Sequence, residues 1–180
     1  GLASVDAIII VTPTFTHDEY IKKVSKATKN IFVEKPLCDS FEKCQEIMLL
    51  EQNLGLNIAV GFIERFNPAL KELQNELKKL DSNTHELRFT RTSLASLRIS
   101  DVTDLMIHDI DLALYLNGDA QVLFANGVIQ NNTINLATAT LKHENGIISH
   151  IHASRITHKN ERKISISADG AHFECDLLAK

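Results

Sequence analysis

Ile31-Phe32-Val33-Glu34-Lys35-Pro36-Leu37-Cys38-Asp39-Ser40-Phe41-Glu42 is the stretch on which the fold is decided. Its apolar triplet predicts a short buried strand, and Asp39-Ser40-Phe41-Glu42 predicts a capping box that opens a helix. Between them, Glu34-Lys35-Pro36 sets an acid, a base and a φ-locking ring at the strand's end. A strand handed so quickly to a capped helix is a β–α unit, and the pattern repeats on both sides. Upstream, Val5 to Val11 is a continuous apolar run, the pattern of a parallel strand covered on both faces. Thr16-His17-Asp18-Glu19 predicts a further capping box, with a helix to about Ala27. Downstream, the helix that follows Ser40 ends near Gly55, and Asn57 to Val60 is a third strand stopped at Gly61. This β-α-β-α-β order implies a parallel sheet with right-handed crossovers.

Beyond Gly61 the pattern changes. Asn67-Pro68 predicts an N-cap followed by proline at the first helical position, leading a helix through Leu80. Glu86 to Leu94 alternates as a strand does, and Leu105 to Leu116 has helical spacing with Asn117-Gly118 as its stop. Strand-like runs follow at Val122–Ile129, Ile134–Leu141, Ile147–Ile156 and Ile164–Ala168, with hairpin signals at Asn131-Asn132 and Asn145-Gly146. The expected architecture is an antiparallel sheet with two helices on one face. The chain therefore reads as two domains, 1–61 and 62–180.

Composition narrows the function classes. The 180 residues are 44% hydrophobic and 23% charged, as in a globular protein. A net charge of −4 leaves no basic footprint for nucleic acid. No apolar stretch approaches the length of a membrane span, and the N-terminus has no signal pattern. Cys38, Cys44 and Cys175 are odd in number and lack a metal-type spacing, which reads as reduced thiols in the cytoplasm.

Four groups of residues carry chemistry. Thr12-Pro13-Thr14 follows a buried strand and precedes a helix N-terminus, the edge where a doubly wound sheet takes its ligand; an ordinary strand-to-helix turn is the alternative. Lys35, at the end of the next strand, has an ammonium that can hold a hydroxyl oxygen and favour its alkoxide character. Asp104 and His108 are four residues apart and Asp111 three further, so all three share a helix face. A carboxylate one turn from an imidazole fixes its tautomer and raises its basicity, as a general base requires. Asp109 lies off that face. No second histidine stands at helical spacing, so proton transfer is preferred to a metal site. Arg65 has the fork to meet a phosphate or a carboxylate, with a solvated salt bridge as its alternative.

These residues together resemble the Gfo/Idh/MocA family, relatives of glucose–fructose oxidoreductase and inositol dehydrogenase that oxidise sugars and polyols with a nicotinamide cofactor. The T-P-x-x-x-H turn of Thr12, Pro13, Thr14 and His17, the Glu34-Lys35-Pro36 corner and the Asp104–His108 helix carry the likeness. It implies that Lys35 is the catalytic lysine, His108 the base, Asp104 its acidic support and Asp111 a substrate hydroxyl contact. It also implies a cis peptide at Lys35–Pro36, NAD or NADP as cofactor, and Thr12, Pro13, Thr14, His17, Glu34, Lys35 and Asn67 on the cofactor's side. Arg65 joins Lys35, His108 and Asp111 on the substrate's side. Gly61-Phe62-Ile63-Glu64-Arg65-Phe66-Asn67-Pro68, Ile107–Leu112 and Ser154–Thr157 are similar to the UDP-N-acetylglucosamine 3-dehydrogenase-like branch. The fold class implied is α/β: the second half of a Rossmann parallel sheet, followed by an α+β domain with a mainly antiparallel sheet.

The chain departs from the family pattern in three respects. No G-x-G-x-x-G occurs among its seven scattered glycines, and the sequence opens where the second Rossmann half would begin. A fragment lacking the front half and the C-terminal end is expected, with a shortened loop at Asp101-Val102-Thr103 before the helix. The activity expected of the whole protein is hydride transfer between a sugar, nucleotide-sugar or polyol hydroxyl and the nicotinamide. The alternative is a non-catalytic remnant serving binding or assembly. Homo-oligomerisation through the antiparallel sheet is also expected, with no nucleic-acid or membrane partner and no metal.

Overall fold

A computed structural model describes residues 5–80, 83–94 and 102–179. The chain divides into two compact units, 1–62 and 63–180.

The first unit is a parallel three-stranded sheet in the order β1 (Ile8–Ile10), β2 (Asn30–Glu34), β3 (Asn57–Gly61). Helices α1 (His17–Val24) and α2 (Phe41–Leu54) are its crossovers. Both steps along the sheet run in one direction, so right-handed crossovers place both helices on one face. That face is the core: Ile10, Ile31 and Val33 meet Ile21, Val24 and Ile47, all buried. Each such side chain removed from water is worth about 1.5–3 kcal/mol. The opposite face is open, with Ile9 at 68% and Val11 at 69% exposure. The two-sided cover expected of the first strand is thus absent among the described residues, and its regular part is only three residues long.

Two caps differ from expectation. Helix α1 is preceded by a 3₁₀ turn over Thr14–Thr16, and Thr16 at its N-cap makes no side-chain capping bond. The Thr16 hydroxyl turns back instead, 2.7 Å from the Pro13 carbonyl oxygen and 2.8 Å from the Thr12 hydroxyl. The capping box is displaced because the 3₁₀ turn already holds the entering backbone. In α2 the cap is Ser40 rather than Asp39: its hydroxyl accepts from the Lys43 N–H at 3.3 Å. Asp39 serves as the ion partner of Lys43. The helix closes at Gly55 in the left-handed conformation, φ 59°.

The second unit is a six-stranded sheet in the order β5-β6-β7-β4-β8-β9. Its strands are β4 (Thr84–Leu94), β5 (Ala120–Gln130), β6 (Thr133–His143), β7 (Ile148–Ser154), β8 (Ile156–Ala168) and β9 (Ala171–Asp176). All pairs are antiparallel except β4 with β7, so the sheet is mixed. Asn131 and Asn132, at φ 52° and 57°, make the tight β5–β6 turn that their pairing predicts. Helix α3 (Pro68–Leu77) has Asn67 as N-cap, its side chain accepting from Ala69 N–H at 3.0 Å. Helix α4 (Thr103–Asn117) packs on β4, β6 and β7. Leu87, Phe89, Ile151, Ala153, Ile164 and Ile166 from the sheet meet Leu105, Met106 and Leu112 of α4 in one core. Of the shortened loop expected at Asp101-Val102-Thr103, Asp101 lies outside the described residues, whereas buried Val102 is already the N-cap of α4 and Thr103 its first residue.

Candidate active site

In the first unit the three strands end along one edge, since Ile10 pairs with Val33 and Glu34 with Gly61. Thr12-Pro13 and Lys35-Pro36 leave the sheet there, the second through a cis peptide bond. His17 ties the two turns together. Its Nδ1 lies 2.9 Å from the Pro36 carbonyl oxygen and its Nε2 2.8 Å from that of Thr12. The ring is 1% exposed, so His17 is not a solvated first-turn residue. Glu34 turns its carboxylate toward its own turn, accepting from the Lys35 N–H at 3.3 Å. A side chain at Gly61 would sit 3.1 Å from that carboxylate and 3.0 Å from the Phe32 ring, so glycine leaves Glu34 its place.

Thr12, Thr14, Glu34 and Lys35 are half-buried along this edge. Hydroxyls, a carboxylate and an ammonium suit the ribose hydroxyls and carboxamide of a nicotinamide nucleotide, and strand carboxyl ends are where such sheets take ligands. The residues present therefore fit the nicotinamide end of that cofactor. Cys38, three residues beyond Lys35, is buried, and burial, with Cys44 beside it, pushes its thiol up to about 12. Burial thus favours the neutral thiol over the thiolate that nucleophilic chemistry needs.

In the second unit α4 carries Asp104, His108 and Asp111 on one face, with Asp104 and His108 half-buried. Arg65, from a 3₁₀ turn over Ile63–Phe66, forks onto Asp111: Nε donates to Oδ2 at 2.8 Å and a terminal nitrogen to Oδ1 at 2.5 Å. Its guanidinium carbon also lies 5.0 Å from the centroid of the Tyr115 ring. The two substrate-side candidates thus meet each other. Asn67 spends its amide within the unit, donating to Glu64 at 3.1 Å and to the Leu177 carbonyl at 3.0 Å.

A second charged group, absent from the sequence expectations, lies buried in the same unit. Arg91 is 2% exposed and forks onto Asp109, with Nε 3.0–3.1 Å from both carboxylate oxygens and a terminal nitrogen 2.8 Å from one. Its other terminal nitrogen donates to Glu64 at 2.9 Å, and Arg162 reaches the same Glu64 oxygen at 3.2 Å. Burial works to raise Glu64, but Arg91, Asn67 and Arg162 outweigh it and hold the carboxyl below its ordinary range. Burial pushes the Asp109 carboxyl up, opposed mainly by the Arg91 fork. The sequence did hold a sign of this: Leu87 and Phe89 face inward on β4, and alternation puts Arg91 next on that face. Among the described residues no group of three His, Cys, Asp or Glu side chains could hold a metal ion. No helix among them is long and apolar enough to cross a membrane.

Residues 2–62 match the family model described as an oxidoreductase family with an NAD-binding Rossmann fold, and residues 88–174 match the GFO/IDH/MocA C-terminal domain. UDP-N-acetylglucosamine 3-dehydrogenase of Acidithiobacillus ferrooxidans is 32% identical over 179 residues, which are 98% of this chain and 57% of that protein. Its solved structure superposes with a TM-score of 0.83 at 30% identity, covering 97% of this chain and 58% of that one. The NAD(+)-dependent scyllo-inositol 2-dehydrogenase of Bacillus subtilis is 32% identical over 84% of this chain and 49% of its own length. The chain thus spans about half to three-fifths of the relatives it matches.

Proposed function

The chain belongs to the Gfo/Idh/MocA family of oxidoreductases, and from that premise we propose that the protein oxidises a secondary hydroxyl of a sugar, nucleotide sugar or polyol with NAD or NADP. The observation that carries the reading is Lys35, half-buried at the carboxyl end of β2 on an edge that fits a nicotinamide nucleotide. The likeness to a UDP-N-acetylglucosamine 3-dehydrogenase along 98% of the chain favours a nucleotide sugar.

When bound, the nicotinamide supplies the hydride acceptor. Lys35 donates a hydrogen bond to the hydroxyl oxygen and stabilises its developing negative charge. His108 takes the hydroxyl proton on a ring nitrogen, and Asp104, one turn earlier on α4, supports the imidazolium that results. The substrate carbon loses a hydride, the oxygen loses a proton, and a carbonyl remains. Thr12, Pro13, Thr14 and Glu34 form the cofactor edge, while His17 and Asn67 act through the turns they hold. Arg65 and Asp111 meet the remainder of the substrate.

Replacing the base tests this directly. His108→Ala in the natural protein should lower kcat by about 10²–10⁴-fold while NAD(H) still binds. Normal turnover in that variant would remove His108 from the mechanism. A protein that neither binds NAD(H) nor turns over any polyol or nucleotide sugar would favour the assembly-module reading.

The sheet of the second unit supports a homo-oligomer reading as well. Val122, Leu123, Phe124, Val128 and Ile129 on β5 are all exposed, a large apolar patch for a free chain. Sedimentation at micromolar concentration should find more than a monomer. Three free cysteines accord with a cytoplasmic protein.

A further inference from the structure

We propose that Arg91 is a positioning residue for the catalytic base: its buried fork fixes the rotation of α4 and so the direction in which His108 points. The proposal rests on the reading of His108 as that base.

Arg91 joins three elements with one side chain. Its backbone is fixed in the sheet interior, where it pairs with Ala153 on β7 and with Arg162 on β8. Its guanidinium holds both oxygens of Asp109, the residue directly after His108 on α4. Its remaining corner reaches Glu64 in the 63–66 turn, and Arg65, the next residue there, forks onto Asp111 of the same helix. Two planar, bidentate grips therefore act on α4 at positions 109 and 111, either side of Ile110. A rotation of the helix that moved His108 would have to break both.

The chemistry explains why a charge stands where the alternation of β4 calls for another leucine or phenylalanine. Apolar contacts tolerate small slides and rotations, whereas a bidentate guanidinium–carboxylate pair fixes direction as well as distance. The network is balanced: Glu64 and Asp109 carry two negative charges, Arg91 and Arg162 two positive. Well-packed apolar residues of similar volume would often be as stable or more so. What the fork adds over them is angular precision, and a displacement of about 1 Å at a reacting group can cost on the order of 10²-fold in rate.

The test uses the natural protein with three variants: Arg91→Lys, Arg91→Leu, and the double Arg91→Leu/Asp109→Leu. The double variant removes both charges together, leaves Glu64 with Arg162 and Asn67, and keeps a folded protein available if the single leucine variant does not fold. In the double variant kcat should fall about 10–100-fold with KM within about threefold, and Arg91→Lys should recover part of the loss. The His108 imidazole resonance of the ligand-free protein should move in all folded variants. A folded double variant with wild-type kcat and an unmoved His108 resonance would overturn the proposal. If the wild type oxidises no polyol or nucleotide sugar, the functional reading fails by itself, and the His108 resonance alone decides whether Arg91 orients the ring.

Discussion

The two units hold their candidate site residues by opposite means. In the first, the turns that present Thr12 and Lys35 are tied through the main chain: His17 sits between two carbonyl oxygens, and Glu34 turns back on the Lys35 N–H. In the second, the helix that presents His108 is tied through charged side chains sunk into the core, Arg91 to Asp109 and Glu64. Backbone ties ask little of the sequence beyond one imidazole and a glycine with room beside it. A buried ion network asks that every member be present, because a lone buried charge is far worse than none. The second unit should accordingly be the less forgiving of single substitutions.

The sharpest way to break that contrast is Arg91→Leu alone. It leaves Asp109 without the fork that opposes its desolvation and should cost about 3–5 kcal/mol. Peptide-resolved hydrogen exchange should place the loss in residues 63–180. An equal loss of protection in residues 5–62 would mean that the ties are not local. A smaller effect is expected from His17→Ala, which leaves the two carbonyls without their shared partner at about 1–3 kcal/mol, read in the same way around Thr12 and Pro36.

Acid sharpens the contrast further. The Glu64 carboxyl is lower in the folded state than in the unfolded chain, so the unfolded chain takes up the proton first. Its contribution is complete above the ordinary glutamate range and fades as the pH falls through the folded value. Glu64→Gln should flatten acid unfolding of the second unit over that range, and an unchanged profile would remove Glu64 as its cause. The smallest effect belongs to Lys22→Ala. Its pair with Glu46 at 2.7 Å lies in solvent, and the thermal midpoint should not move measurably.

How far the sequence could be read follows the same division. The β-α-β-α-β order of the first unit was plain because each junction is local: a short apolar strand, a turn, a cap. Even there, Ser40 rather than Asp39 took the cap, a choice of one residue that depends on the turn before it. In the second unit the Asn67-Pro68 start of α3 and the Asn131-Asn132 turn were equally plain, since each is again a matter of neighbouring residues. The parallel pairing of β4 with β7 was not, because it joins residues some sixty positions apart that carry no mark of each other. Strand β9 and the polar stretch from Thr157 to Lys163 in β8 likewise carry no local mark. Among the described residues, strand β9 pairs only with β8 at the far border of the sheet, and of the polar stretch only Glu161, Arg162 and Lys163 pair with β4. Arg91 was visible only as an arginine on an inward beat of β4, and its partners lie on two other elements.

Strand β5 has a further consequence. It forms one border of the six-stranded sheet and contains no lysine, arginine, aspartate or glutamate from Ala120 to Gln130. Such a border is a template for fibril growth, and natural sheets commonly guard it with charge. Here the guard is geometric: the pairing with β6 slips between Val122 and Phe124 and again between Val128 and Ile129. Each slip bends the strand away from the flat, continuous rim that a second chain could copy. A change that straightens these two slips should therefore raise the tendency of β5 to add a further strand, read as a rise in thioflavin fluorescence on incubation.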